Sequence, residues 1–204
     1  MTSHSRFGMS EHEMGEIIRA SYQEIVESRG IRFKPFDELM TNAIDVIAKF
    51  LVMRTGFSGI LIYGKSGTGK TSLIQAVKYV MGKISDSIHK DMDFDVGFVN
   101  PSQNISTNAL ASCKIEKVNL LLLDDVGLEH MNERSNSKTL DPKDVIACRY
   151  DYSLPTIMAS VFDQISLGEI YGQRLLDCVQ ERYMIIELSH NYRQENIRAR
   201  ETIV

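Results

Sequence analysis

Tryptophan is absent from this chain, and cysteine and proline are scarce, at three and four residues in 204. The cysteines, Cys113, Cys148 and Cys178, lie far apart and form no C-x-x-C pair. That excludes a disulfide framework and fits reduced thiols inside a cell. The histidines His4, His12, His89, His130 and His190 do not cluster with the cysteines, which argues against a structural zinc site. No apolar run approaches the roughly 18 residues that a membrane span needs. The stretch Met1-Thr2-Ser3-His4-Ser5-Arg6 lacks the apolar centre of a secretion signal. The expectation is a cytoplasmic protein with no membrane partner. A net charge of −4 also excludes coating nucleic acid by charge alone. A local basic face stays open, because Arg193, Arg198 and Arg200 lie near the C-terminus. Glu195 and Glu201 dilute it, and a solvated tail is the alternative.

What is present suits one globular domain. Hydrophobic residues make up 43% and charged residues 25%, and 204 residues can bury a core. The most informative stretch is Gly64-Lys65-Ser66-Gly67-Thr68-Gly69-Lys70-Thr71, which fits G-x-x-x-x-G-K-[ST]. An apolar run from Phe57 to Tyr63 precedes it and reads as a buried strand. From Ser72 to Met81 apolar residues recur at helical spacing. Strand, glycine loop and helix are the context in which such a loop holds phosphate. Gly64, Gly67 and Gly69 let the backbone curl and approach an anion. The N–H groups of the loop and of the new helix, through Ser72, then face the phosphates. Lys70 is placed to reach the β- and γ-phosphates, and the Thr71 hydroxyl to ligate Mg²⁺. The ligand this implies is ATP with Mg²⁺.

A second motif supplies the acids. Val118-Asn119-Leu120-Leu121-Leu122-Leu123-Asp124-Asp125 reads as a strand buried on both faces, with carboxylates at its end. Ligands in open α/β sheets bind beyond that end of the strands. Asp124 is placed to hold the metal, and Asp125 to orient or deprotonate the attacking water.

The remaining pattern alternates helices and strands. Residues 11–29 form an amphipathic helix ended by Gly30, and a linker, 31–36, leads to a helix opened by Asp37. A polar stretch covers 84–95, a short strand 96–99, and a helix lies near Thr107–Cys113. A polar loop spans 127–137, a helix 140–152, a fourth strand 155–162, helices 167–181, and a fifth strand 183–188. This order predicts an α/β fold with a five-stranded parallel sheet and helices on both faces. Residues 1–35 form an N-terminal tail and helix, and 36–204 the nucleotide-binding domain. The first helix is either a partner-binding segment or packs on its own domain. Phe33 and Phe36 either flank an adenine ring or join the core.

From Phe36 to Arg193 the sequence resembles the DnaC/DnaI/IstB family of AAA+ ATPases, which are helicase loaders and transposition helpers. The resemblance rests on the phosphate loop, on Leu121-Leu122-Leu123-Asp124-Asp125-Val126-Gly127-Leu128-Glu129, and on Arg149-Tyr150 followed by Leu154-Pro155-Thr156-Ile157-Met158. It continues in Tyr171-Gly172-Gln173-Arg174-Leu175-Leu176-Asp177 and Asn191-Tyr192-Arg193. It implies an ASCE-type P-loop domain in which a further strand separates the phosphate-loop strand from the acidic one. It implies little or no C-terminal lid domain, an ATPase activity, and a homo- or hetero-oligomer. The partners it implies are a replicative helicase, a transposase or another AAA+ protein, with single-stranded DNA.

The sequence departs from the family in three places. Val161 stands near the position of a sensor asparagine, with Ala159 and Ser160 before it, and carries no donor. Cys178 stands where the family places an arginine finger, so Cys178→Arg is expected to raise ATPase activity if the position is a lost finger. Arg174 is the candidate replacement, with Arg182 as another, and Arg149 is either a further site arginine or a solvated one. The stretch 100–117 leaves little room for the inserted helix that loaders carry. Val161 and Cys178 motivate a second reading, an ATP-gated interaction module with weak turnover or none. A small-molecule kinase is disfavoured, because no arginine-rich lid stands out.

Overall fold

The computed structural model describes residues 7–53, 55–88, 94–101, 118–131 and 141–194. The expected helix near Thr107–Cys113, the arginines Arg198 and Arg200, and most of the loop 127–137 lie outside them.

Local signals set the helix starts. The first helix, α1 (Glu11–Ser28), opens with a capping box in which Ser10 and Glu13 exchange hydrogen bonds. α2 (Glu38–Val52) is capped by the Asp37 carboxylate, which accepts from the Met40 N–H at 2.7 Å. β1 (Gly59–Tyr63) leads through the glycine loop into α3 (Lys70–Ile88). α3 runs past Met81 into the stretch read as polar, where Ser85 donates to the Phe94 carbonyl and Phe94 joins the core. β2 (Val96–Val99) and β3 (Leu120–Val126) follow, then a short 3-10 turn at Leu128–Met131. α4 (Pro142–Asp151), β4 (Thr156–Ser160), α5 (Gln164–Tyr171), α6 (Gln173–Arg182) and β5 (Tyr183–Glu187) complete the fold.

The five strands are parallel, in the order β2-β3-β4-β1-β5. β4 therefore separates the phosphate-loop strand β1 from the acidic strand β3, as expected. Both loops that carry the site leave at the carboxyl ends of their strands.

Strand alternation explains the two cores. Successive side chains on a strand point to opposite faces. Ile60 and Ile62 of β1, Leu120 and Leu122 of β3, and Ile157 and Ala159 of β4 share one apolar cluster with α1, α2 and α3. Leu61, Leu121, Leu123 and Met158 point the other way, into a cluster with α4, α5 and α6. A run of four leucines is tolerated because both faces of β3 are covered. Met14, Ile18 and Tyr22 of α1 belong to the first cluster, so α1 shares its core with α2 and α3. Among the described residues no helix is long and apolar enough to cross a membrane.

Candidate nucleotide-binding site

The loop between β1 and α3 turns back on itself around Lys70. The Lys70 ammonium donates to the carbonyl oxygens of Gly64 and Lys65 and to Thr68 Oγ1, the last at 3.3 Å. Thr68 Oγ1 in turn donates to Lys65 O at 3.0 Å. Lys70 is 6% exposed, and burial pushes its pKa down while Asp125 and Asp124 pull it up. A buried ammonium held by neutral oxygens gains strongly from an anion in the loop.

Gly67 and Gly69 are required for distinct reasons. Both have φ of +93°, a region costly for other residues. A Cβ on Gly67 would lie 2.7 Å from Asn191 Oδ1 and 2.9 Å from Arg193 Cβ. One on Gly69 would collide with the Tyr22 hydroxyl. The segment after β5 thus crosses the tip of the loop. Asn191 Nδ2 donates to Ser66 O at 3.2 Å, and the Arg193 N–H to Gly67 O at 3.4 Å.

β3 brings the acids to the same end of the sheet. Thr71 Oγ1 donates to Asp124 Oδ1 at 3.3 Å. Asp124 is 1% exposed, and its pKa is raised to about 6 by burial and then by Asp125. The pairing of β3 with β4 shifts register between Leu123 and Val126, and Asp125 takes a φ of +57°. Aspartate tolerates that conformation better than most residues. The irregularity sets Asp125 apart from Asp124, with Asn100 Nδ2 donating to Asp125 Oδ2 at 3.1 Å. A carboxylate raised by burial and then by its acidic neighbour, with a hydroxyl beside it, is a hard-oxygen donor set suited to Mg²⁺. Thr71 and Asp124 would hold that ion.

Beside the loop opens a cavity of about 330 Å³, within the usual range for small ligands. Gly67, Gly69, Lys70, Thr71 and Asp125 are part of its lining. The lining also holds the aromatic and apolar side chains of Tyr22, Val26, Phe33 and Phe36, with the cations Arg29, Arg32 and Lys34 among them. Tyr22 and Phe36 meet edge to face with centroids 5.3 Å apart, and Phe33 meets Phe36 at 5.1 Å. Phe33 and Phe36 pack against the core and also line the cleft.

Some candidates stand elsewhere. Arg174 is on the outer face of α6, with its side chain 75% exposed and 3.4 Å from Asp151. It does not reach the cleft of its own chain. Arg182 is engaged with Glu181 at 3.1 Å, over the Tyr150 ring. Arg149 is neither a site residue nor solvated. It is fully buried, donating to Thr156 Oγ1 at 2.8 Å, Val118 O at 3.0 Å and Pro155 O at 2.7 Å. Its role is to join the starts of β3 and β4 to α4. Cys178 is buried at 5% exposure, and burial raises its thiol pKa. Val161 lines the cleft. Ser160 offers no substitute donor, because its hydroxyl donates to Val126 O at 2.6 Å and accepts from the Phe162 N–H. Glu129 accepts from the Gly127 N–H at 3.0 Å and from the Tyr171 hydroxyl, tying the turn after β3 to α5.

Sequence reasoning missed Asn100, Tyr22, Arg29 and the contact of Arg193 with the glycine loop. Asn100 ends a short strand and carries no local motif. Tyr22 and Arg29 read as ordinary positions of an amphipathic helix. Arg193 read as part of a tail, although Asn191-Tyr192-Arg193 marked the position.

No protein-family model and no curated protein matches this chain. Solved structures do. The crystal structure of DnaI is similar over 87% of this chain and 93% of that one, with a TM-score of 0.55 and 23% identity. That of the DnaC helicase loader covers 76% of this chain and 93% of its own, with a TM-score of 0.51 and 16% identity. The replication initiator DnaA, bound to AMPPCP and single-stranded DNA, gives a TM-score of 0.51 at 21% identity. It covers 82% of this chain, which spans about half of that protein, 52%. The fold is the DnaC/DnaI-like AAA+ fold of P-loop proteins.

Proposed function

We propose that this protein binds Mg-ATP in the cleft between the phosphate loop and β3, and hydrolyses it slowly or on activation by a partner. The observation that carries the reading is the contact between Thr71 and Asp124, which forms a metal-holding pair at the mouth of a glycine loop. Mg²⁺, when bound with the nucleotide, neutralises charge on the β- and γ-phosphate oxygens. The residues of the chain do the rest. Backbone N–H groups of the loop and the first turn of α3 cradle the phosphates. Lys70 exchanges its bonds to the loop carbonyls for phosphate oxygens. Asp125, held by Asn100, orients a water for attack on the γ-phosphate and accepts its proton.

The cellular role that fits is assembly or remodelling of a protein–DNA complex in DNA replication, such as loading a replicative helicase. It is supported by likeness in fold to a helicase loader and to an initiator bound to single-stranded DNA. Transposition, the other role of the resembling family, has no such support. A second reading, an ATP-gated switch that recruits a partner with little turnover, is favoured by Val161. That residue faces the cleft without a donor, and the Ser160 hydroxyl beside it is committed to Val126.

The test is equilibrium ATP binding beside steady-state hydrolysis across protein concentration, with and without single-stranded DNA. Turnover that rises with concentration or DNA supports the ATPase. Tight binding with negligible turnover in every condition favours the switch. Absence of Mg-dependent ATP binding removes both.

A further inference from the structure

Arg29 occupies the C-cap of α1 and lines the cleft. Its guanidinium crosses to the phosphate-loop helix. Nη1 donates to Ser72 Oγ at 3.0 Å, and Nη2 donates to Gln75 Oε1. Both acceptors are neutral. Among the described residues no carboxylate pairs with Arg29, so part of its donor fork and its whole charge remain unspent.

Its position on α3 is specific. Thr71 and Ser72 are consecutive in the first turn, so they point about 100° apart around the helix. Thr71 faces Asp124, on the side of the terminal phosphates. Ser72 faces Arg29, whose charge acts on the Tyr22 phenol in the aromatic half of the cleft. The guanidinium therefore stands between the loop and the aromatic rings. A nucleotide with its base on those rings and its terminal phosphates at Lys70 and Thr71 carries its α-phosphate past this point.

We propose that Arg29 binds the α-phosphate of the nucleotide, and that through it occupancy of the cleft fixes the end of α1 to α3. This rests on the Mg-ATP reading above. Ser72 and Gln75 orient the fork, and a non-bridging α-oxygen takes the remaining donors. The contact is common to ATP and ADP, unlike contacts of Lys70 with the γ-phosphate. Arg29→Ala should thus weaken Mg-ATP and Mg-ADP by the same factor, about tenfold, as befits loss of a charge-assisted bond.

A structural latch between helices would give a similar loss, so the deciding probe is ATPαS in each diastereomer. Sulfur in place of the α-oxygen facing Arg29 should weaken binding to the unaltered chain. That penalty should vanish in Arg29→Ala and shrink in Arg29→Lys, which serves if the alanine variant does not fold. An equal sulfur penalty with and without Arg29, or none in the unaltered chain, would overturn the assignment. Lys70→Ala separates the two levels. If the unaltered chain binds ATP no better than Lys70→Ala, the nucleotide site itself fails. If it binds better but the sulfur penalty ignores Arg29, only this inference does.

Discussion

Thr71 Oγ1 lies 3.3 Å from Asp124 Oδ1, although the two residues come from different strand ends of the sheet. The strand order explains the meeting. β4 sits between β1 and β3, so the loop leaving β1 and the acids leaving β3 flank one gap at the carboxyl edge. Thr71 is fixed by the first turn of α3 and Asp124 by burial in β3. The fold itself thus places the two side chains together, as the proposed metal site requires.

The buried acid gives the apo protein a pH signature. The pKa of Asp124 rises from 3.8 to about 6 on folding, chiefly through burial. An acid raised by folding contributes stability while protonated, fully below its unfolded pKa, and loses it as pH rises through the folded value. Asp124→Asn is neutral throughout. The stability of the parent relative to this variant should fall by about 3 kcal/mol between about pH 4 and pH 7. Denaturant unfolding without Mg²⁺ measures it. A difference that stays flat or rises with pH would refute the burial argument.

Asp125 should separate binding from chemistry. Asp125→Asn keeps the shape of the side chain but removes the base. Mg-ATP affinity should stay within about threefold, while hydrolysis falls by about 10² or more. Asn100→Ala should move turnover in the same direction by less, since it frees the carboxylate without removing it. Single-turnover assays beside calorimetry test both. Unchanged hydrolysis in Asp125→Asn would take that residue out of the chemistry.

Arg149 should matter to folding and not to nucleotide. Arg149→Leu leaves Val118 O, Pro155 O and Thr156 Oγ1 without their shared donor. Relief of a buried charge offsets part of that loss. The net expectation is destabilisation by about 2–4 kcal/mol with ATP affinity of the folded fraction unchanged. Normal stability with lost hydrolysis would restore Arg149 as a site residue.

Cys178→Arg is expected to destabilise, against the expectation from family resemblance. At 5% exposure the position cannot hold a guanidinium that reaches a neighbouring molecule. Thermal unfolding should come earlier, with no gain in hydrolysis as protein concentration rises. A stable variant with concentration-dependent activity would show that α6 can present this residue outward.

The phosphate loop, the acidic strand and the parallel sheet were legible because each is local. A glycine pattern, a leucine run and strand-helix alternation need no partner to be recognised. Strand order was legible only through resemblance, since nothing in β4 itself says that it lies between β1 and β3. The aromatic side of the cleft was not legible. Tyr22 and Arg29 come from α1 and its C-cap and Arg193 from the segment after β5, two stretches far apart in sequence, and each looks ordinary in its own neighbourhood. Arg149 misled for the opposite reason: a charged residue reads as surface or site, and only the three oxygens around it reveal a strut.

The proposed chemistry depends on the Lys70–Thr71–Asp124 cluster binding Mg-nucleotide. Calorimetric titration of Mg-ATP into the parent and into Lys70→Ala tests it most directly, with circular dichroism to confirm folding. Saturable, Mg-dependent binding to the parent and a loss of about 100-fold or more in the variant are the expected result. Equal affinity for two folded proteins, or no binding to the parent, would contradict it.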